Sequence, residues 1–388
     1  MTPLGALALV SFAAWLALVF ARGRYWTGEV RLEGRAPAPA SWPRVVAVVP
    51  ARDEAELIAR TLRTLLAQEY AGELRIVLVD DESSDGTAAA ARDVAAAHPN
   101  GARLSVVRTE PRPAGWVGKM WAVESGIRAA RRTAGADWWW LTDADVAHAT
   151  DTLARLVAKG ESDRLDLVSL MVKLDAGAGW NALLVPAFVY FFQQLYPFPL
   201  VNDPGSRVAA AAGGCMLVRC DALTRAGGIT PLRGEVIDDC ALGRAVKANG
   251  GIWLGLTDQE ESIRPYGGVG DVWRMVARSA YTQLRHSPAL LAGTLAGLAL
   301  LYLVPPLAVL AWLFAGSHAA GVFGAAAWML QAASFVPTLA LYRRSAWLAL
   351  ALPAAGLLYA AMTFDSARRH WRNEGATWKG RAGAGGAP

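Results

Sequence analysis

Two acidic side chains one residue apart, Asp143 and Asp145, end the stretch WWWLTDADV at residues 138–146. An apolar run of this kind is typical of a buried strand, so the two carboxylates stand where a strand leaves the core. Carboxylates in such a place are costly unless a cation meets them, and hard divalent ions prefer carboxylate oxygen. We therefore expect Asp143 and Asp145 to bind Mg²⁺ or Mn²⁺ together with substrate phosphates, against the alternative of a solvated turn.

Two other stretches have the residue types of known sites without their spacing. DDESSDGT, residues 80–87, is not a calcium hand, because the pattern needs Asp or Asn where Ser83 stands and Glu where Arg92 stands. Its simplest alternative role is a helix cap at Asp85. GWVGKM, residues 115–120, lacks the first Gly and the Ser or Thr of a phosphate loop, although Lys119 at a helix start could meet a phosphate. The five histidines have no metal-ligand spacing.

These residues sit in a segment where short apolar runs alternate with amphipathic ones. The pattern predicts strands at residues 44–50, 74–80, 104–108, 137–143 and 165–173, and helices at 53–68, 87–97 and 119–132. Such alternation predicts an α/β fold, a mostly parallel sheet with helices on both faces. Ligands bind beyond the carboxyl ends of the strands in these sheets, which is where the acidic residues cluster.

Long uncharged runs lie at both ends of the chain, which is 54% apolar and only 18% charged. Residues 4–20, 289–316, 319–342 and 346–364 are near or above the length that spans a bilayer. Arg22 and Arg24 follow the first run, so the positive-inside rule predicts that this end is cytoplasmic. Cysteines without a disulfide pattern fit that reduced setting, and the net charge of +5 suits an anionic lipid surface rather than nucleic acid.

Two membrane questions stay open at this point. Residues 180–201 are uncharged but contain three prolines and the pair Gln193–Gln194, so they predict either a core helix or a segment in the membrane interface. Four full spans would also place the basic tail, residues 367–388, outside the cell, whereas its charge favours the cytoplasm. One of the apolar runs being re-entrant would resolve that conflict.

Six stretches occur in the order found in family 2 glycosyltransferases: VVPARDEAE, IVLVDDESSDGT, GWVGKMWAVESGI, WLTDADV, GGCMLVRCDAL and IDDCALG. With its apolar ends, the chain most closely resembles the membrane-bound hopanoid-associated members. The resemblance covers residues 44–286 by motif and the flanks by layout. It implies a GT-A fold, a nucleotide-sugar donor and a divalent cation.

The resemblance also implies a role for each matching position. The donor would be bound by Glu54, Asp81, Asp85, Lys119 and Asp143, and the metal by Asp143 and Asp145. Asp239 would be the catalytic base, although Asp238 stands where the family has Glu. The later motif of the family is degenerate in YTQLRH, where Gln283 and Arg285 are expected on the acceptor side together with Asp238. A carboxylate base and a separate metal-binding pair are what inverting sugar transfer requires.

The sequence therefore predicts a multi-pass enzyme of a bacterial-type inner membrane that transfers a sugar to a lipid, plausibly a hopanoid. Other acceptors stay open, namely a polyprenyl phosphate, another glycolipid or a polysaccharide, and so does an inactive nucleotide- or lipid-binding scaffold. The predicted organisation is an anchor at 1–22, a linker at 23–43, the GT-A domain at 44–286, about three spans at 287–366 and the tail at 367–388. The sugar, the nucleotide and the oligomeric state are not encoded in any recognisable pattern.

Overall fold

The structure, a computed structural model, describes residues 2–32, 37–133, 135–372, 374, 377–378 and 381–382. Parts of the predicted linker and of the basic tail lie outside these residues. The chain divides into two compact units. The sheet unit comprises Val30–Asp175, Leu200–Arg264 and the described residues of 375–388. The helical unit comprises Met1–Glu29, Ala176–Pro199 and Pro265–Glu374.

The strands of the sheet unit begin and end close to their predicted positions. They are β1 (Val45–Ala51), β2 (Leu74–Asp80), β3 (Leu104–Arg108), β4 (Trp138–Thr142), β5 (Val146–Ala147), β6 (Leu167–Lys173), β7 (Cys215–Arg219) and β8 (Ile252–Ser262). Two short strands follow in the tail, β9 (Thr377–Trp378) and β10 (Arg381–Ala382).

Within the described residues, β1 to β8 form one mixed sheet in the order β3-β2-β1-β4-β7-β6-β8-β5. The first four strands in this order are parallel, with Val45 of β1 opposite Leu74 of β2 and Trp138 of β4. Every residue of β1 and β4 is buried, because helices cover both faces, and this explains their uninterrupted apolar sequence. The predicted α/β fold of GT-A type is confirmed.

Two strands, β5 and β7, depart from the predicted parallel direction. β7 runs antiparallel to both of its neighbours, β4 and β6, and separates them in the sheet. Leu217 of β7 faces Trp140 on one side and Val168 on the other. As a result, the residues just before β7 lie beside the end of β4, where Asp143 begins the acidic motif.

The helices of the sheet unit cover the sheet. They are α2 (Ala55–Leu66), α3 (Thr87–Ala97), α4 (Gly118–Thr133), α5 (Thr152–Ser162), α8 (Cys220–Arg225) and α9 (Asp238–Lys247). The apolar face of α2 buries Ile58, Leu62 and Leu65 completely, at the spacing predicted for an amphipathic helix. A short helix, α7 (Phe198–Asn202), lies where the chain passes between the units.

The helical unit contains the apolar runs. Its helices are α1 (Pro3–Ala21), α6 (Asn181–Leu195), α10 (Val269–Ala277), α11 (Ala280–Gln283), α12 (Pro288–Leu298), α13 (Val304–Ala315), α14 (His318–Leu341) and α15 (Leu352–Trp371). A π-helical segment at Ala299–Leu303 joins α12 to α13, and a 3₁₀ helix at Ala346–Ala351 precedes α15. Among the described residues, four helices are long and apolar enough to cross a membrane: Pro3–Ala21, Pro288–Ala315, His318–Leu341 and Ala346–Trp371.

Most of the uncharged segment 180–201 forms α6, and the inner face of this helix belongs to the core of the helical unit. Tyr190 is completely buried, and its hydroxyl lies 2.9 Å from the hydroxyl of Tyr25 and 2.6 Å from Oγ of Ser334. Trp180 and Leu195, at the two ends of the helix, are more than half exposed. The inner face thus agrees with the core alternative, while the two ends of the helix carry exposed apolar side chains.

Candidate active site

The acidic motif Asp143–Asp145 occupies the turn that follows β4. The amide of Asp143 donates a hydrogen bond to the carbonyl of Gly214 at 3.4 Å, just before β7. The carbonyl of Asp145 accepts a hydrogen bond from the amide of Ile263 at 2.8 Å, just after β8. Both backbone contacts hold the turn at the edge of the sheet, so its carboxylates are positioned by strands rather than by a free loop.

Lys119 lies between the two acidic clusters. Its Nζ is 2.9 Å from Oδ1 of Asp143 and 3.6 Å from Oδ2 of Asp238. Burial alone would lower the pKa of Lys119, but the Asp143 and Asp238 carboxylates outweigh it and raise the pKa above its usual value. The lysine is therefore a fixed positive charge, placed by the first turn of α4.

Asp239 is held by backbone amides at the start of α9. Its Oδ2 accepts a hydrogen bond from the amide of Gly213 at 3.0 Å, and its Oδ1 accepts one from Cys240 at 2.7 Å. Burial, followed by repulsion from Asp238, raises the pKa of Asp239 to about 6, against the opposing effect of Lys119. The two amides orient the carboxylate of Asp239. With a pKa of about 6 it is ionised near neutral pH and basic enough to accept a proton.

Arg264, which the sequence analysis did not single out, contacts the predicted metal motif. Its Nε lies 2.7 Å from Oδ2 of Asp145, and its Nη2 lies 2.5 and 2.7 Å from the carboxylate oxygens of Glu54. Burial and the nearby Asp143 carboxylate raise the pKa of Asp145, while Arg264 opposes the rise. No sequence pattern marks this arginine, because it comes close to Asp145 only through the pairing of β5 with β8.

The predicted nucleotide-binding residues lie at the ends of β1 and β2. Glu54 is buried, and its amide donates to Oγ1 of Thr87 at 2.8 Å. Asp85 links the starts of two helices, since its carboxylate accepts hydrogen bonds from the amides of Ala55 at 2.8 Å and Thr87 at 3.0 Å. Asp81 is completely buried and accepts a hydrogen bond from Thr109. Asp85 therefore connects the loop that carries Glu54 to the start of α3.

The two residues predicted on the acceptor side by the degenerate motif belong to the helical unit. Gln283 donates a hydrogen bond from Nε2 to the hydroxyl of Tyr196 at 2.5 Å. Arg285 is exposed and has a positive φ of 52°, as does the following His286 at 54°. The other predicted residues, Glu54, Asp81, Asp85, Lys119, Asp143, Asp145, Asp238 and Asp239, all belong to the sheet unit.

Comparison with known proteins identifies the class. Residues 43–274 match the sequence profile described as glycosyltransferase like family 2, so the chain belongs to that family and is a glycosyltransferase. No curated protein sequence matches the chain. Its structure is similar to a mannosyltransferase of Pyrobaculum calidifontis solved with GDP-Man and Mn²⁺, with a TM-score of 0.55 and 23% identity over 96% of this chain and 99% of that one.

Two further solved structures have a lower similarity. S. aureus TarS gives a TM-score of 0.41 and 18% identity over 61% of this chain and 40% of that one. Glucosyl-3-phosphoglycerate synthase from Mycobacterium tuberculosis gives a TM-score of 0.39 and 15% identity, over 63% and 79% respectively.

The carboxylate oxygens of Asp143 and Asp145 are suitable ligands for a hard divalent cation. Within the described residues no group of three or more His, Cys, Asp or Glu side chains could hold a metal ion. Two carboxylates are nevertheless sufficient where phosphate oxygens and waters complete the coordination of Mg²⁺ or Mn²⁺. Lys119 and Arg264 already place positive charge against Asp143 and Asp145, so these carboxylates are arranged to meet a cation.

Proposed function

We propose that the protein is a membrane-bound inverting glycosyltransferase that moves a sugar from a nucleotide-sugar donor to a hydroxyl of a lipid. The observation that carries this proposal is the arrangement around Lys119. One lysine lies between the predicted metal-binding carboxylates and the predicted base, in a chain of glycosyltransferase family 2 with four apolar helices. Metal binding and proton transfer are thus assigned to different carboxylates within one site.

In the proposed reaction Asp143 and Asp145 would hold a divalent cation, which would supply charge neutralisation for the diphosphate leaving group. Glu54 and Asp81 contact the base and ribose of the donor, and Lys119 lies along the diphosphate. The acceptor hydroxyl oxygen attacks the anomeric carbon as its proton passes to the carboxylate of Asp239. The bond from that carbon to the diphosphate oxygen breaks, and the nucleoside diphosphate leaves with the electron pair.

The lipid acceptor is supported by the apolar helices, and a hopanoid is the acceptor that the motif order favours. The same site would also serve a polyprenyl phosphate, another glycolipid or a polysaccharide. The sheet unit would lie in the cytoplasm and bind the donor there. Arg22 and Arg24 follow α1, and the positive-inside rule favours the cytoplasm for such residues. The predicted boundaries of the GT-A domain, residues 44–286, and of the C-terminal apolar segment, residues 287–366, are part of the same proposal.

An assay on the full-length protein in lipid vesicles tests this function. The protein would be given labelled nucleotide sugars, GDP-mannose among them, with Mg²⁺ or Mn²⁺ and one acceptor at a time: a hydroxylated hopanoid or a polyprenyl phosphate. We expect metal-dependent transfer of label to the hopanoid. Transfer only to polyprenyl phosphate would change the acceptor and remove the need for Asp239 as a base, because an ionised phosphate oxygen has no proton to lose. Donor binding without transfer or hydrolysis, for every donor and acceptor, would favour the inactive scaffold.

A further inference from the structure

The three long helices α1, α12–α13 and α14 pack in register within the helical unit. Trp15 Nε1 and Gln331 Nε2 both donate hydrogen bonds to the carbonyl of Leu301, at 3.0 and 3.2 Å, so these three residues lie at one level. A second level is marked by one buried cluster of Ala8, Ala308 and Ala320. Between the two levels α1 and α14 run in the same direction, and α12–α13 runs in the opposite one.

It follows that Ala21, Pro288 and Leu341 lie at the same end of this bundle. We call it the basal end, and the end with the loop at residues 315–318 the distal end. The chain leaves α1 at the basal end. Four complete spans would require α15 to finish at the distal end.

The contacts of α15 show that it runs toward the basal end instead. A Cβ on Gly356 would lie 2.7 Å from the side chain of Tyr302, near the middle of α12–α13. Ala367 packs with Leu291 in one cluster, and the ring of His370 stacks on His286 at 4.2 Å. From Gly356 to His370 the helix therefore descends beside α12–α13 and ends next to the residues that precede Pro288.

The 3₁₀ helix at Ala346–Ala351 carries the chain from the basal end of α14 up to the start of α15. It begins just beyond the basal end of α14, and the carbonyl of Leu350 accepts a hydrogen bond from Nε1 of Trp328 at 3.1 Å, about half-way up α14. At about 1.5 Å per residue, the stretch from Leu341 back to Trp328 corresponds to a height of ~20 Å, less than the ~30 Å of a hydrocarbon core. Backbone groups outside a regular helix need hydrogen-bond partners from the protein at this depth of a membrane, and the carbonyl of Leu350 has one in Trp328.

We infer that residues 346–371 form a re-entrant element, which enters and leaves the membrane through the same face, and that the chain crosses the membrane three times. Both ends of this element carry cations: Arg343 and Arg344 before it, Arg368, Arg369 and Arg372 at its end. The distal loop, AGSH at residues 315–318, has no Lys or Arg. The partner of the basal end is thus the anionic headgroup layer of one leaflet, and the basic tail starts on that side.

Asp365 is consistent with this assignment. Its carboxylate accepts hydrogen bonds from Nε1 of Trp273 at 2.9 Å, from Arg368 at 2.6 Å and from Arg369 at 2.8 Å. A hydrogen-bonded acid and two arginines belong at headgroup level rather than in the hydrocarbon core, because a charge at the bilayer centre is costly.

Cysteine accessibility on the full-length protein tests the re-entrant path. Ser345→Cys and Arg372→Cys, both at exposed positions, would be labelled with a membrane-impermeant thiol reagent in intact cells and in inverted vesicles. Ala319→Cys marks the distal end, and the wild-type protein, with its three cysteines, gives the background. We expect Ser345→Cys and Arg372→Cys to react in the same preparation and Ala319→Cys in the other.

Reaction of Ser345→Cys and Arg372→Cys in opposite preparations would establish a full fourth span and overturn the inference. If Arg372→Cys does not accumulate as folded protein, Glu374→Cys reports the same side without removing a cation. The comparison does not depend on which side is the cytoplasm, nor on any enzymatic activity.

A second observation concerns Arg264, and this inference rests on the proposed metal-dependent function. The backbone ties Arg264 to the acidic motif, because Ile263 donates to the carbonyl of Asp145 and Val146 pairs with Ser262. The guanidinium then bridges Asp145 and Glu54 at 2.5 to 2.7 Å. The geometry points to a counter-cation: Arg264 neutralises Asp145 in the metal-free protein, and a divalent ion has to compete with it.

Mn²⁺ titration followed by electron paramagnetic resonance, without donor, tests this role. We expect Arg264→Gln to bind Mn²⁺ several-fold more tightly than wild type and to unfold at a lower temperature without metal, with recovery on adding Mn²⁺. Arg128→Gln is the matched control, since it makes the same charge change at an exposed pair with Glu124.

The outcomes separate this inference from the proposed function. The counter-cation role alone would be overturned if the wild type transfers sugar but Arg264→Gln does not bind Mn²⁺ more tightly than the wild type and Arg128→Gln. A wild-type protein that neither binds Mn²⁺ with donor nor transfers sugar would contradict the proposed function itself.

Discussion

Lys119 lies within ionic reach of carboxylates from both acidic motifs, and this places the two clusters in one electrostatic site. Removing its charge would take away the cation that lies within 4 Å of both Asp143 and Asp238 and that lowers the pKa of Asp239. The lysine therefore has a structural reason to be where it is, as well as the proposed contact with the donor diphosphate. Its raised pKa means that it carries its charge throughout the range in which an enzyme of this kind operates.

The residue pair Asp238–Asp239 leads to a prediction about pH. Asp239 acts as a base only when ionised, so turnover should fall as the pH drops through about 6. Asp238→Asn removes the neighbouring negative charge that helps to raise this pKa, so the acidic limb of the kcat profile should move to lower pH.

This prediction is checked with pH–rate profiles of the wild type and Asp238→Asn, with Glu235→Gln as a control outside the acidic pair. An unmoved acidic limb in Asp238→Asn, together with undiminished turnover, would show that another group governs the profile.

Part of the candidate site could be predicted from the sequence, because those residues are marked by the residues next to them in the chain. Asp143 and Asp145 directly follow an apolar strand, and Asp239 lies at a helix start in a recognisable order of motifs. Arg264 could not be predicted, because its approach to Asp145 depends on the pairing of β5 with β8, across more than a hundred residues of chain. The contact of Gly213 with Asp239 likewise depends on where β7 enters the sheet.

At the level of elements, the parallel half of the sheet could be predicted from alternation alone. β2, α3 and β3 have the predicted bounds, because buried strands and amphipathic helices leave strong local patterns. The antiparallel direction of β7 has no such signature, since CMLVR would be equally apolar in either direction. Its placement between β4 and β6 is a property of the whole sheet.

The helix α6 is the element in which two sequence interpretations competed. The hydroxyl of Tyr190 links this helix to Tyr25 and to Ser334 of α14, so Tyr190→Phe should lower the free energy of unfolding by about 1 kcal/mol. Leu195→Ser, at an exposed end of the same helix, should change the free energy of unfolding by no more than about 0.5 kcal/mol.

Thermal unfolding of both variants in detergent measures this difference. Equal stability of Tyr190→Phe and wild type would mean that the buried hydroxyl network contributes nothing. A larger loss in Leu195→Ser than in Tyr190→Phe would mean that the end of α6 is not exposed as described.

At the scale of the whole molecule, residues 176–199 belong to the helical unit although they interrupt the sheet unit in sequence. These residues were predicted to lie inside one domain, residues 44–286, because motifs of the family resemblance occur on both sides of them. Their uncharged composition was the signal that they differ from their surroundings. Each unit is built from several chain segments. The uncharged composition of one segment indicates this division, whereas the alternation of strands and helices does not.

The orientation of the sheet unit gives a further prediction. Arg22 and Arg24 follow α1, so the sheet unit should be cytoplasmic, and Ser84→Cys at an exposed position should not react with an impermeant reagent in intact cells. Ala319→Cys, from the distal loop region, should react in the same cells. Strong labelling of Ser84→Cys from outside would reverse the orientation.

The central claim is that metal binding and proton transfer are performed by separate carboxylates of one site. The most direct test is donor binding by calorimetry with Mn²⁺, run beside a transfer assay, on Asp145→Asn and Asp239→Asn. Asp145→Asn should weaken donor binding and change the metal requirement. Asp239→Asn should bind donor within a few-fold of wild type while turnover falls by about 10² or more, the scale of general-base loss. Normal donor and metal binding by Asp145→Asn, or near wild-type transfer by Asp239→Asn, would contradict the account.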